Sequence, residues 1–179
     1  SRVEELIKDL RRSTKELEDR VRKLLEELKD KTRRTEKRNR EKLEKLKEEL
    51  RKLEEDVKRE GPRETDLDER VKELEKAAED SKRELDENLE RVTREIEKIK
   101  REIDKYRKDS ERRIEEIRKS GDDDEKVRKV MEDDRRKLKK ILDDVEDVLR
   151  KHKKVLEDLK RTNDDVLREA RKLAEKIRR

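Results

Sequence analysis

Residues 3–57, VEELIKDLRRSTKELEDRVRKLLEELKDKTRRTEKRNREKLEKLKEELRKLEEDV, decide the fold. Their apolar and small polar residues stand at 3, 7, 10, 14, 17, 21, 25, 28, 32, 35, 39, 43, 46, 50, 53 and 57, fifteen steps over 54 residues, or 3.6 per step. That is the period of a straight α-helix, so these positions form one stripe down a helix roughly 80 Å long at about 1.5 Å per residue. A strict heptad would give a period of about 3.5 and a left-handed supercoil. Four positions on the stripe are polar: Thr14, Thr32, Thr35 and Asn39.

The pattern recurs twice. A second stripe runs from Leu67 through Leu85, Ile99 and Tyr106 to Ile117, and a third from Val127 through Leu138, His152 and Asn163 to Ile177, each covering 50 residues in fourteen steps. Both glycines and the single proline lie in the two gaps between stripes. Gly61 can end the first helix in the left-handed conformation and Pro62 prevents its continuation, while Ser120 and Gly121 end the second. Start signals match: Ser1 with Glu4 spells a capping box, Thr65 with Asp68 or Asp66 with Glu69 can cap helix two, and Asp122 with Glu125 can cap helix three. The expected elements are helix 1 over about 2–60, a turn at 61–65, helix 2 over about 66–119, a turn at 120–122 and helix 3 over about 123–178.

Short connections between long helices make antiparallel neighbours. Three equal helices with one stripe each bury all three stripes by facing a common axis. The expected fold is all-α: a long, nearly straight, antiparallel up-down-up three-helix bundle, coiled-coil-like, forming a single body over 1–179.

Composition narrows the function classes. Charged residues make up 64% of the chain and hydrophobic ones 26%, which would suggest disorder were the apolar positions not periodic. The net charge is only +5, and the signs alternate every few positions, so binding of nucleic acid or a membrane surface through a field of one sign is disfavoured. The most basic run, Arg33–Lys42, has no aromatic neighbour to stack a base. The absence of cysteine excludes disulfides, a thiolate nucleophile and a Cys-based zinc site. No apolar run approaches a membrane span or a signal-peptide core, so the chain should be soluble; no targeting signal is legible, and recombinant expression would leave it in the cytoplasm.

The uncharged polar residues carry the most information. Outside the helix ends, the twelve Ser, Thr, Asn and His residues all lie on a stripe or beside one. If the first turn is centred near 61, residues of helices one and two at equal height have numbers that add to about 122, and helix three lies about 120 beyond helix one. Thr14 then falls level with Ser110 and Asp134; Thr32 and Thr35 with Asn88 and His152; Asn39 with Ser81, Thr162 and Asn163. A lone buried polar group without a partner costs about 1–3 kcal/mol, whereas a layer drawn from three helices can satisfy itself. Such layers would resist slippage by a turn, because slipping parts donors from acceptors.

Catalytic readings are weak. His152 has no second imidazole or thiolate beside which to bind zinc, and its level neighbours suit a hydrogen-bonded core imidazole. Asp134 has no nucleophile or glycine-rich loop near it and is expected to accept hydrogen bonds from Thr14 and Ser110. Tyr106 and Met131 are expected to pack. No catalytic, cofactor-binding or metal-binding residue is expected, no cofactor, no small-molecule ligand, and no nucleic-acid or membrane partner.

Taken together, the idealised helices, Gly and Pro confined to turns, a Glu/Lys/Arg/Asp surface, the absence of Gln, Phe, Trp and Cys, and Ser, Thr, Asn and His held for the core resemble computationally designed helical bundles with buried hydrogen-bond networks. The spectrin-type three-helix repeat is the nearest natural look-alike, but these helices are longer and lack that family's tryptophan. The resemblance implies a scaffold without enzymatic activity. The alternative is a subunit of a designed homo- or hetero-oligomer. Six of the nine apolar residues off the stripes (Val130, Leu142, Leu149, Val155, Leu167, Ala174) belong to helix three, which favours self-association through that helix; no large second stripe exists, however, so a monomer is expected.

Overall fold

The computed structural model describes residues 1–60, 65–121 and 124–178. The chain is an all-α three-helix bundle: α1 spans Arg2–Glu60, α2 Thr65–Ser120 and α3 Asp124–Arg178. Each helix carries acid in its first turn (Glu4 and Glu5; Asp66 and Asp68; Asp124 and Glu125) and base in its last (Lys58 and Arg59; Arg118 and Lys119; Lys176 and Arg178), which complements the helix dipole at both ends. At the start of α1 the Glu4 backbone N–H donates to Ser1 Oγ at 3.3 Å, one half of the capping box expected there. The caps and stops assigned to Gly61, Pro62, Thr65 and Asp122 lie outside the described residues or rest on side chains outside them.

Contacts group the chain into two compact units, to each of which all three helices contribute a segment: residues 1–30 with 92–150, and residues 31–91 with 151–179. In the first unit, Arg20 of α1 forks onto Glu102 of α2 through two bonds of 2.8 and 2.9 Å, and Thr14 meets Tyr106. Their numbers add to 122 and 120, so α1 and α2 are antiparallel. Lys100 of α2 pairs with Glu146 of α3 at 3.6 Å, and Ser110 with Asp134, so α2 and α3 are antiparallel as well. The second unit repeats this order through Lys42–Glu84 and Asp56–Arg70 between α1 and α2, and through Lys82–Asp164, Asp86–Lys160 and Asp68–Arg178 between α2 and α3.

The stripes supply the core. In the first unit one apolar cluster joins Leu6, Ile7, Leu10, Ile114, Ile117, Val127 and Val130, and a larger one runs from Leu17 and Val21 through Ile96 and Ile103 to Leu138 and Val148. Polar residues 14, 110 and 134 fall between the two. The second unit has one cluster, including Leu53, Leu67, Val71, Ala78, Val166 and Ala170. Fully burying a Leu or Ile contributes about 1.5–3 kcal/mol, so these clusters supply the main drive to fold. Among the described residues no large hydrophobic side chain is exposed. Of the off-stripe apolar residues of α3, Val130, Leu167 and Ala174 are buried, and Leu142, Leu149 and Val155 partly so, because α3 presents the widest apolar face to its neighbours.

Gly121 has a packing role of its own. A Cβ there would lie 2.9 Å from Val3 Cγ2, closer than carbon atoms approach without displacement, so a side chain at 121 would push Val3 of α1 aside.

Candidate functional site

The densest polar cluster of the described residues is built around Asp134 of α3, which is 4% exposed. Thr14 Oγ1 of α1 donates to Asp134 Oδ1 at 2.7 Å. Tyr106 and Ser110, one turn apart on the same face of α2, reach the same carboxylate: the Tyr106 hydroxyl at 3.1 Å from Oδ1, and Ser110 Oγ onto Oδ2. Thr14 and Tyr106 also touch each other, and Thr14 Oγ1 lies 3.0 Å from the Leu10 carbonyl of its own helix. Three hydroxyls, each with one proton and spare lone pairs, thus surround one acceptor-only carboxylate.

Tyr106 was expected to pack, and it does so with its ring in the larger cluster of that unit, but its hydroxyl is a full member of the network. The signal was present in the sequence: a phenol placed four residues before Ser110 and level with Thr14 puts a buried O–H where a polar layer needs a donor. Burial pushes the phenol up to about 12; its contact with Thr14 opposes this, while the neighbouring Asp134 charge adds to it.

The residues expected in the second layer are arranged differently. His152 is buried, and its Nδ1 lies 2.7 Å from Oε1 of Glu36 on α1. Nδ1 facing a carboxylate carries the proton, which leaves Nε2 as the other ring atom to satisfy. Nε2 is buried and meets no partner among the described residues, and the same holds for Nδ2 of Asn88. Thr32 is buried and Thr35 only half-buried. Glu36 is not legible in the sequence, because a glutamate among so many surface carboxylates carries no special signal. Its one distinguishing mark is its position beside the stripe, 116 residues from His152, about one helical turn off the level of that layer.

In the third group Asn163 is fully buried. Its Nδ2 donates to the backbone carbonyl of Ala78 on α2 at 2.8 Å, while its Oδ1 and the Nδ2 of Asn39 have no partner among the described residues. Ser81 is half-buried. Thr162, also half-buried, turns back to its own helix and donates to the Asp158 carbonyl at 3.2 Å, the local bond that Ser and Thr commonly make inside helices.

Outside these layers ion pairs are frequent at the helix surfaces. Arg51 and Glu48 meet at 2.5 Å, Arg168 and Asp165 at 2.7 Å, both at i,i+3 spacing. The Arg70 guanidinium, followed by Arg59, holds Asp56 below the usual carboxylate range, and a bond from Lys72 does the same for Asp68. Such depressed carboxylates add stability above their unfolded pKa and lose it as pH falls through the folded one.

Among the described residues no group of three or more His, Cys, Asp or Glu side chains could hold a metal ion, and no described helix is long and apolar enough to cross a membrane. Neither a protein-family model nor a curated protein matches this chain. Among solved structures it is similar to one described as a "computationally designed three helix bundle", at 18% identity over 98% of this chain and 84% of that one, with a TM-score of 0.37.

Proposed function

We propose that this chain is a designed structural scaffold with no biochemical activity of its own, in which buried polar groups select one register of three helices. The observation that carries this reading is the Asp134 carboxylate, which takes hydroxyl partners from both other helices. Sliding either helix by one turn, about 5.4 Å, would part these groups and leave a charged acceptor buried without donors. The Glu36–His152 pair and the Asn163 bond to Ala78 act in the same sense. The residues Thr32, Thr35, Asn88, Asn39, Ser81 and Thr162 belong to the same set of levels in this reading.

The test replaces Thr14, Tyr106, Ser110 and Asp134 together by Val, Phe, Ala and Leu. Helix content should stay the same while uniqueness is lost: light scattering should depart from 22.0 kDa, or amide NMR signals should split into more than one set. A variant that keeps one sharp set of signals and an unchanged mass defeats the register role. The same mass measurement on the parent chain separates a lone scaffold from a subunit of a larger assembly. A mass near 22.0 kDa is expected, since no large hydrophobic is exposed among the described residues.

A further inference from the structure

The Asp134 network also faces a groove. Between α2 and α3 of the first unit, a cavity of about 440 Å³ is walled by Ile114, Met131, Leu138 and Leu142, with Ser110 and Asp134 in its lining. A second cavity of about 360 Å³ shares Arg107, Leu138 and Leu142 with the first and continues towards Ile103 and Glu146. The two adjoin at these residues along one channel between the helices, with the buried Asp134 carboxylate near one end, apolar side chains from Met131 to Leu142 in its wall, and charged residues of both signs, Glu111, Glu115 and Asp104 among them, around it. From Asp134 to Leu142 is eight residues, about 12 Å along the helix.

The charges are placed unevenly. Asp134 meets three hydroxyls and, among the described residues, no lysine, arginine or histidine nitrogen within ion-pair distance. A carboxylate oxygen accepts more than one hydrogen bond, so acceptor capacity remains. Three of the cations at the mouth are already engaged: Arg107 with Asp104 at 2.5 Å, Arg118 with Glu115 at 3.4 Å, and the half-buried Lys100 with Glu146 at 3.6 Å. Arg135 and Lys139 stand at the exposed rim. Charges at the rim are screened by water and salt, whereas one among apolar walls is not.

The geometry points to a binding site for a linear alkylammonium amphiphile, its –NH₃⁺ head bonded to Asp134 and its chain lying along Leu138 and Leu142. The head supplies the counter-charge that Asp134 lacks, and the chain covers apolar wall that the helices leave only partly covered. The volume falls within the range of about 300–1,000 Å³ typical of small-molecule sites.

Met131 is the only methionine and lines the groove, so its labelled methyl group gives a single, local NMR signal. Octylamine, octanol and octanoate are titrated at neutral pH below their micelle concentrations. Octylamine should shift the Met131 signal saturably and bind about tenfold more tightly than octanol, with octanoate weakest. Asp134→Asn should bring octylamine level with octanol. Should that variant lose helical structure, Leu142→Lys leaves Asp134 in place and puts a tethered cation in the channel; octylamine binding should then fall about tenfold and octanoate should gain. Equal binding of all three, tightest binding of octanoate, or an unmoved Met131 signal would each overturn the assignment.

Discussion

Tyr106 is the only tyrosine in the chain, which makes its ionisation directly readable. Its phenol is 8% exposed and is pushed from an ordinary value near 10.0 up to about 12, chiefly because burial disfavours the phenolate and next because Asp134 places a negative charge beside it. In the unfolded chain neither cause survives. The folded state therefore holds this proton more tightly, so the contribution to stability is complete below pH 10 and is lost as pH rises from about 10 to about 12. Two units at about 1.4 kcal/mol each set a ceiling of about 3 kcal/mol on that loss. The assay is phenolate absorbance against pH, read beside far-ultraviolet circular dichroism, first in buffer and then in concentrated guanidinium chloride. In denaturant the midpoint should fall near 10. In buffer the phenolate should appear well above that, either at about 12 with the helices intact or together with their melting. Phenolate forming near pH 10 while helicity holds would refute the burial of this hydroxyl beside Asp134, and with it the network as described.

Three further outcomes follow from the same structure. Asp134→Ala should cost about 2–3 kcal/mol in urea denaturation, because it leaves the Thr14, Tyr106 and Ser110 hydroxyls buried without their acceptor; adding Thr14→Val, Tyr106→Phe and Ser110→Ala should recover most of that loss, and strictly additive losses would contradict a coupled network. Asn163→Leu should raise stability by roughly 1 kcal/mol, since the amide carbonyl it removes is buried without a partner and the lost bond was to Ala78, a mid-helix carbonyl that keeps its own helical N–H; a fall of similar size would show the Asn163 bond to be worth more than its desolvation. Glu48→Gln, which breaks the exposed pair with Arg51, should leave the urea midpoint unchanged within error, whereas Ile96→Ala, at a fully buried site, should lower stability by about 2–5 kcal/mol.

The chain's local properties were legible from the residues alone. A stripe of period 3.6 needs no partner to be recognised, because it follows from the turn of one helix. Acid at the start and base at the end of each helix, and glycine beside the stops, likewise reflect backbone groups within a few residues. The level of the polar residues was also partly readable, since rise per residue converts sequence distance into height. Thr14, Ser110 and Asp134 meet where that conversion brings them.

Which atoms pair at a given level was decided only in three dimensions. Height leaves open how each helix is rotated about its axis and which rotamer a side chain takes, and a hydrogen bond fails beyond a few tenths of an ångström. Hence the Tyr106 hydroxyl joins Asp134, His152 turns to Glu36, Asn163 finds the Ala78 backbone and Thr162 bonds within its own helix. Periodicity belongs to one helix at a time, and partnership requires the simultaneous position of three.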